Sequence, residues 1–313
     1  MGKIEKISTV GMSREDWLAH RKKRIGGSDA SAVVGMNPYS SPYALWAEKT
    51  GRVPGFAGNL ATEVGTFLEE FVAKKFEAET GKKVRKCNNI IINTDYEFAH
   101  ANVDRLISGE DAGLEVKTTS ELNLKKFRGR EFPDIYYAQC VHYLAVTGKQ
   151  RWYLAVLIGN KEFKWFALER DEAEIAALMT AEAEFWKLVE MDIPPAVDGT
   201  AATTGAIGAI YANSNDGVAD LTAHNADIAR YLELGNQIKE LEAQRDEAAN
   251  RVKEFLGECG SGECEGFRVS WKSQSRRTFD SKKFEKENPD IDLSDYFKQS
   301  VSRPFKVTEV NRR

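Results

Sequence analysis

From Asp104 to Lys117 the chain reads DRLISGEDAGLEVK, and its architecture can be worked out from this segment. An acid closes one short strand-like run, a Gly-containing turn follows, and Glu115-Val116-Lys117 lies on the next run. In a β-strand alternate residues share a face, so Glu115 and Lys117 project one way and Val116 the other. Two acids and an amine thereby converge at one hairpin edge. A divalent-metal nuclease needs that set: acidic oxygens for a hard cation such as Mg²⁺, and a positive charge beside the attacking water. Acid-x-Lys is common in a chain with 29% charged residues, and Glu162-Phe163-Lys164 and Asp280-Ser281-Lys282 repeat the spacing. Taken alone, the tripeptide reads as a solvated strand edge with an ion pair. The neighbouring elements carry the decision.

Upstream, Ser13 with Asp16 three residues on predicts a helix N-cap and a helix through His20. A second short helix is expected over Ser28 to Val34, and a third from Ser41-Pro42 to Gly51, with cap, first-turn proline and terminal glycine in order. Residues 60 to 79 place Val64, Phe67, Leu68, Phe71, Val72 and Phe76 at amphipathic helical spacing. Strands are expected at Val84 to Ile92, Ala101 to Ile107 and Gly113 to Thr118, then a helix from Asp134 to Val146. Strands at Trp152 to Ile158 and Phe163 to Leu168 and a helix from Asp171 to Glu190 close the block. This order predicts an α/β layered core over residues 1–195. Residues 196–220, rich in Ala, Gly, Thr and Asp, read as a linker or wrapping segment. Residues 221–313 read as an appended module. In it, apolar residues at roughly heptad intervals from Ala223 to Leu256 predict one long helix or a helical hairpin. Gly266 to Trp271, Ser281 to Glu285 and Phe305 to Val307 suggest a small α+β tail.

Composition narrows the function classes. The 313 residues are 42% hydrophobic with a net charge of −4, as in an ordinary soluble protein. The N-terminal MGKIEKISTVGMSREDW lacks a signal-peptide core and no run reaches a membrane span, so a cytoplasmic location is expected. Cys87, Cys140, Cys259 and Cys264 are scattered; Cys259 and Cys264 bracket a Gly-rich turn and read as reduced thiols. The four histidines form no HxxxH or HxH set, which argues against a zinc or iron-sulfur enzyme. Basic residues cluster at Arg21 to Arg24 and again at Arg268, Lys272, Arg276 and Arg277. A phosphate backbone meets such local patches rather than the net charge. The second cluster reads as a solvated face.

Set in this order, separate signals fall on elements that bring them together: Glu69 on the helix before the acidic hairpin, and Tyr136 and Gln139 one turn apart on the helix after it. The segments WLAHRKKRIGGSDASAVVG, GTFLEEF, ANVDRL, LEVKT and YYAQCVHYLAVTG resemble, over about residues 14–195, the YqaJ branch of the PD-(D/E)XK nucleases, the lambda-exonuclease-like phage recombination exonucleases. Val103 stands where the superfamily name implies proline, a position whose side chain makes no metal contact.

The resemblance implies a restriction-endonuclease-like α/β core with a mixed central sheet flanked by helices. It implies a Mg²⁺-dependent, 5′-to-3′ double-strand exonuclease, with Mn²⁺ able to substitute, that leaves 3′ tails for a single-strand annealing protein of the RecT or Beta type. It also implies a trimeric ring. Carried onto this chain, the metal oxygens fall on Asp104, Glu115, the Val116 carbonyl and Glu69, with Glu70 as the alternative to Glu69. Lys117 stands beside the attacking water, Gln139 orients that water or holds Glu69, and Tyr136 lines the site in preference to Tyr137. Arg21 and Ser28, seven residues apart, fall on the 5′-phosphate-binding pair. A structure-selective or restriction-like endonuclease and a non-catalytic DNA-binding scaffold are the competing readings.

Overall fold

The computed structural model describes residues 2–127, 132–298 and 302–308. It divides into two compact units, Met1–Tyr211 and Ala212–Arg313.

In the first unit, mixed sheets are flanked by helices. A five-stranded sheet runs in the order β3 (Val84–Lys86), β6 (Arg105–Ile107), β7 (Ala112–Thr119), β8 (Arg151–Ile158), β9 (Glu162–Glu169). Strands β7 and β8 pair in parallel over their whole length and the remaining neighbours are antiparallel. A smaller sheet orders β1 (Ile4–Ser8), β4 (Asn89–Asn93), β5 (Ala99–Asn102) and β2 (Ile25–Gly26). The expected three-strand meander is thus divided between two sheets. The run from Val84 to Ile92 breaks into β3 and β4, and the run from Ala101 to Ile107 into β5 and β6. Asp104 lies in the second break, where the chain leaves one sheet for the other.

Two long helices cover the larger sheet. Helix α4 (Leu60–Thr80) starts at Asn59, whose side chain accepts from Thr62 N, and ends at Gly81 in the left-handed region at φ 71°. Its Val72 and Phe76 pack on Ala112, Leu114, Val116, Tyr153 and Ala155, the even-phase residues of β7 and odd-phase residues of β8. Phe67 and Phe71, expected on the buried face, are 85% and 55% exposed. The helix's fully buried residues, Val72, Ala73 and Phe76, all fall in its second half, while in the first half Gly65 approaches Thr118 at the end of β7. Helix α5 (Asp134–Thr147) makes the crossover that parallel strands require. It packs chiefly through Ala138, Val141, Tyr143 and Leu144 among the residues around Trp152.

Further helices of the unit are α1 (Arg14–Lys22), capped by Ser13; α2 (Gly27–Val33); α3 (Pro42–Lys49), capped by Ser41; and the 19-residue α6 (Glu172–Glu190). His142 on α5 binds Glu182 on α6 through Nδ1 at 2.8 Å, and its Nε2 lies 2.9 Å from the His100 carbonyl, so two of the four histidines hold elements together. Part of the segment read as linker folds as α7 (Ala201–Ile210), with Thr203 bonded to Ser41 at 2.7 Å and Ala206 buried beside Trp46. Small side chains give that helix little amphipathic contrast, which is why its residues read as loop.

The second unit has one 32-residue helix, α8 (Asn225–Leu256), and no helical hairpin. A β-hairpin of β10 (Ser261–Cys264) and β11 (Phe267–Ser270) follows, then α9 (Ser281–Glu287). Phe305 to Val307 form no strand. All four cysteines are free thiols. Among the described residues no helix is long and apolar enough to cross a membrane.

Gly113 on β7 shows how tightly the layers close. A Cβ there would lie 2.3 Å from the Trp152 ring, which is fully buried. Gly113→Ala is expected to cost about 1–3 kcal/mol by overpacking, read as a lowered midpoint in denaturant unfolding; an unchanged midpoint would contradict the packing described.

Candidate active site

Strand β7 presents Glu115 and Lys117 on one face, and the Lys117 ammonium lies 2.6 Å from Glu115 Oε1. Gln139, on α5 above that face, donates from Nε2 to the same oxygen at 2.7 Å. Glu115 Oε1 therefore accepts twice, while Oε2 is buried with no hydrogen-bond partner. A buried carboxylate oxygen left unpaired costs free energy unless a cation or donor reaches it.

Asp104 arrives from the break between β5 and β6. Its Oδ2 accepts from Val116 N at 2.8 Å. Strand β6 pairs only with Gly113 and Leu114, so β7 is open on that side beyond them. The N–H and C=O of one strand residue point to the same side. The Val116 carbonyl thus faces the same open edge as Asp104, while its side chain packs toward α4.

The charges interact strongly. Burial first, and then the Glu115 carboxylate, push the Asp104 carboxyl well above the usual range, against the pull of Lys117. Burial by itself would lower the Lys117 ammonium, but Glu115 and Asp104 outweigh it and raise it. Lys117 is therefore a fixed positive charge and not a proton acceptor at neutral pH. Tyr136 places its ring 5.6 Å from the Lys117 ammonium, and the Phe127 ring stacks on it with centroids 6.4 Å apart. Tyr137 points elsewhere, donating its hydroxyl to Glu174 at 2.6 Å.

Two expected roles change. Gln139 holds Glu115, not Glu69. Glu69 is paired with Arg105 Nη1 and still lies close enough to Asp104 to push its carboxyl further up, and Glu70 takes Arg105 Nη2 at 3.1 Å. The Arg105 side chain is 4% exposed and also donates to the Asp104 carbonyl at 2.8 Å. Arg105 thus links both acids of α4 to the backbone of Asp104. Among the described residues no three His, Cys, Asp or Glu side chains are grouped to hold one ion.

Arg105 and Tyr143 are the residues missed in sequence. Tyr143 receives a hydrogen bond from Gln139 at 2.9 Å and donates to the Asn102 carbonyl at 3.1 Å, tying α5 to the end of β5. It stands one turn after Gln139, and that i, i+4 spacing was a usable signal. Arg105 had none beyond being a charge in a short apolar run.

Arg21, at the end of α1, and Ser28, at the start of α2, meet directly, with Arg21 Nη2 donating to Ser28 Oγ at 2.9 Å. The guanidinium also lies 4.8 Å from the Trp17 ring. Beneath them Asp29 is buried against Lys49 at 2.6 Å and accepts from Gly26 N at 3.0 Å. Burial would raise the Asp29 carboxyl, but Lys49 and Arg21 overcome this and hold it below its ordinary value. Lys49 further donates to the Arg21 and Arg24 carbonyls at 3.0 Å each, fixing the turn that carries Arg21. The Arg21 and Ser28 groups remain partly or fully exposed. A Cβ on Gly27 would meet the Tyr143 ring at 2.5 Å, so this turn packs directly on the helix that carries Gln139.

The family model for the YqaJ-like viral recombinase domain matches residues 16–150, a span that contains every site residue named above. The uncharacterized protein YqaJ of Bacillus subtilis is 40% identical over 306 residues, covering 96% of each chain. Among solved structures, the alkaline exonuclease LHK-Exo of Laribacter hongkongensis matches 57% of this chain and 93% of its own, at 22% identity and a TM-score of 0.49. A phage-related exonuclease from Haemophilus somnus matches 54% and 96%, at 14% identity and a TM-score of 0.42. With two fifths of its residues shared with YqaJ from end to end, this chain belongs to the YqaJ-like viral recombinase family.

Proposed function

We propose that this protein is a Mg²⁺-dependent deoxyribonuclease that degrades linear duplex DNA from its 5′ ends. It releases 5′-mononucleotides and leaves 3′ single-strand tails, in phage or prophage recombination. The observation that carries the reading is the buried, unpartnered Glu115 Oε2 beside an Asp104 whose ionisation is opposed by its surroundings.

The donor set fits a hard divalent cation: two carboxylates and a strand-edge carbonyl, all oxygen, with the Lys117 ammonium beside Glu115 and Arg105 held on the backbone of Asp104. Asp104, Glu115 and the Val116 carbonyl would hold it, with Mn²⁺ accepted in place of Mg²⁺. Glu69 and Glu70 would act through Arg105 by fixing where Asp104 presents its carboxylate. When bound, the cation polarises a phosphoryl oxygen and offsets charge gathering at phosphorus. Lys117 keeps its proton and presents positive charge to the attacking oxygen and the scissile phosphate. Gln139 and Tyr143 fix the rotamer of Glu115, and Tyr136 screens Lys117 from bulk water.

Arg21 and Ser28 would receive the 5′-terminal phosphate. A guanidinium donates two parallel bonds to phosphate, and the Ser28 hydroxyl adds a third. Held by Lys49 and Asp29, the pair is organised before DNA arrives. The tails would pass to an annealing protein of the RecT or Beta type, and a trimeric ring would keep the enzyme on the duplex.

The test is digestion of linear duplex labelled separately at each end, with and without a 5′ phosphate. Release of the 5′ label as mononucleotide, only with Mg²⁺ or Mn²⁺, is expected; intact duplex, or cutting of closed circles, would overturn the reading. Lys117→Ala should lower turnover about 10²–10³-fold while DNA affinity holds. Arg21→Ala should erase the preference for phosphorylated ends.

A stability measurement tests the cation site without activity. Because the folded state raises the Asp104 carboxyl, its ionised form opposes folding above the ordinary aspartate range, and the penalty is relieved as pH falls. In EDTA, Asp104→Asn should therefore raise the melting temperature at pH 8 by roughly 2–4 °C, with a smaller gain at pH 5. Added Mg²⁺ should stabilise the unaltered protein and not the variant.

A further inference from the structure

Helix α8 bears an apolar seam left in the open, and we infer that a second copy of this chain covers it as an antiparallel two-stranded coiled coil. Between Tyr231 and Phe255 the seam residues recur at alternating spacings of three and four: Leu234, Ile238, Leu241, Arg245, Ala248 and Val252. Ile238 is 56% exposed and Leu241 63%. Leu232 and Leu256, apolar residues off the seam, are half-buried by their own unit. At the Tyr231 end the Phe305 ring packs on Tyr231 at 5.3 Å, leaving Leu234 to Val252 as the open stretch, about 27 Å long at helical rise.

A period of 3.5 residues sustained over three heptads is the pattern of helices that wind around each other. A helix of this length that buries none of its residues draws its stability from such a seam.

The pattern also selects the partner and its direction. Arg245 is the one charged residue on the seam. In a parallel pair it would face Arg245 of the second copy, two like charges at the core. In an antiparallel pair centred near Ala243, Leu234 meets Val252, Ile238 meets Ala248 and Leu241 meets Arg245. Each contact occurs twice, as two-fold symmetry requires. Bulky Ile238 then faces small Ala248. The Arg245 side chain, on the side of the seam that carries Glu242, reaches Glu242 of the second copy. Among the described residues of its own chain Arg245 makes a loose, exposed contact to Asp246 at 3.6 Å. The seam is thus complementary to itself in size and charge when one copy is reversed.

Disulfide mapping on the full-length chain tests this, with Cys87, Cys259 and Cys264 replaced by Ser to remove the accessible thiols. Ile238→Cys and Ala248→Cys proteins, mixed and oxidised, should form the mixed disulfide in preference to either homodisulfide. Predominance of the 238–238 homodisulfide would overturn the antiparallel arrangement, and absence of any cross-link would overturn the pairing. Sedimentation gives the second readout. Glu242→Lys should weaken self-association through α8 about tenfold, and adding Arg245→Glu should restore it. Both are surface changes that leave the helix intact by circular dichroism. Indifference of self-association to both substitutions would overturn the proposal whatever nuclease activity the protein shows.

Discussion

The structure turns on negative charge held out of water. Asp104 and Glu115 are brought together at one open edge of β7, and only one of the two Glu115 oxygens is compensated within the protein. Lys117 supplies one positive charge against two acids, which is too little to let both ionise freely. Stability alone would favour an amide or an apolar residue at either position. Keeping both carboxylates strains the site against its own fold, and that strain is what the proposed cation would relieve.

The surrounding architecture serves this arrangement. A continuous strand would have carried Asp104 along a hydrogen-bonded ladder, with its carboxyl on a sheet face. The break between β5 and β6 instead turns it toward the exposed edge of β7, where Val116 N holds it. Arg105 fixes the break from the other side by gripping the Asp104 carbonyl together with Glu69 and Glu70. Above the sheet, Gln139 and Tyr143 lock Glu115, and Tyr143 packs on the turn that carries Ser28. The acidic edge and the Arg21–Ser28 pair are thereby built on the same helix. A displacement of α5 would be felt at both.

The second unit follows a different logic. Its long helix is stabilised by no buried face of its own, and its seam is patterned for an outside helix. None of the contacts that build the acidic edge comes from α8, so the proposed assembly and the proposed chemistry can be tested separately.

Much of this was legible in the sequence, for identifiable reasons. The family resemblance pointed to Arg21 and Ser28, which meet in a direct hydrogen bond, while alternation put Glu115 and Lys117 on one face and caps at Ser13 and Ser41 fixed helix starts. These are short-range properties, set by strand pleat, helix turn and local hydrogen bonding. The division of the meander between two sheets was not legible, because a break in pairing depends on which strand lies alongside. The helicity of residues 201–210 was hidden by small side chains that matter only against Ser41 and Trp46. The capture of Glu69 and Glu70 by Arg105 joins residues some 35 positions apart, and only the packing of α4 beside β6 brings them together. Which side chains are available to the site, and which faces they share, follows from the order of residues along the chain; which carboxylate oxygen is left unpaired follows from the packing, because it depends on every donor the fold brings within reach.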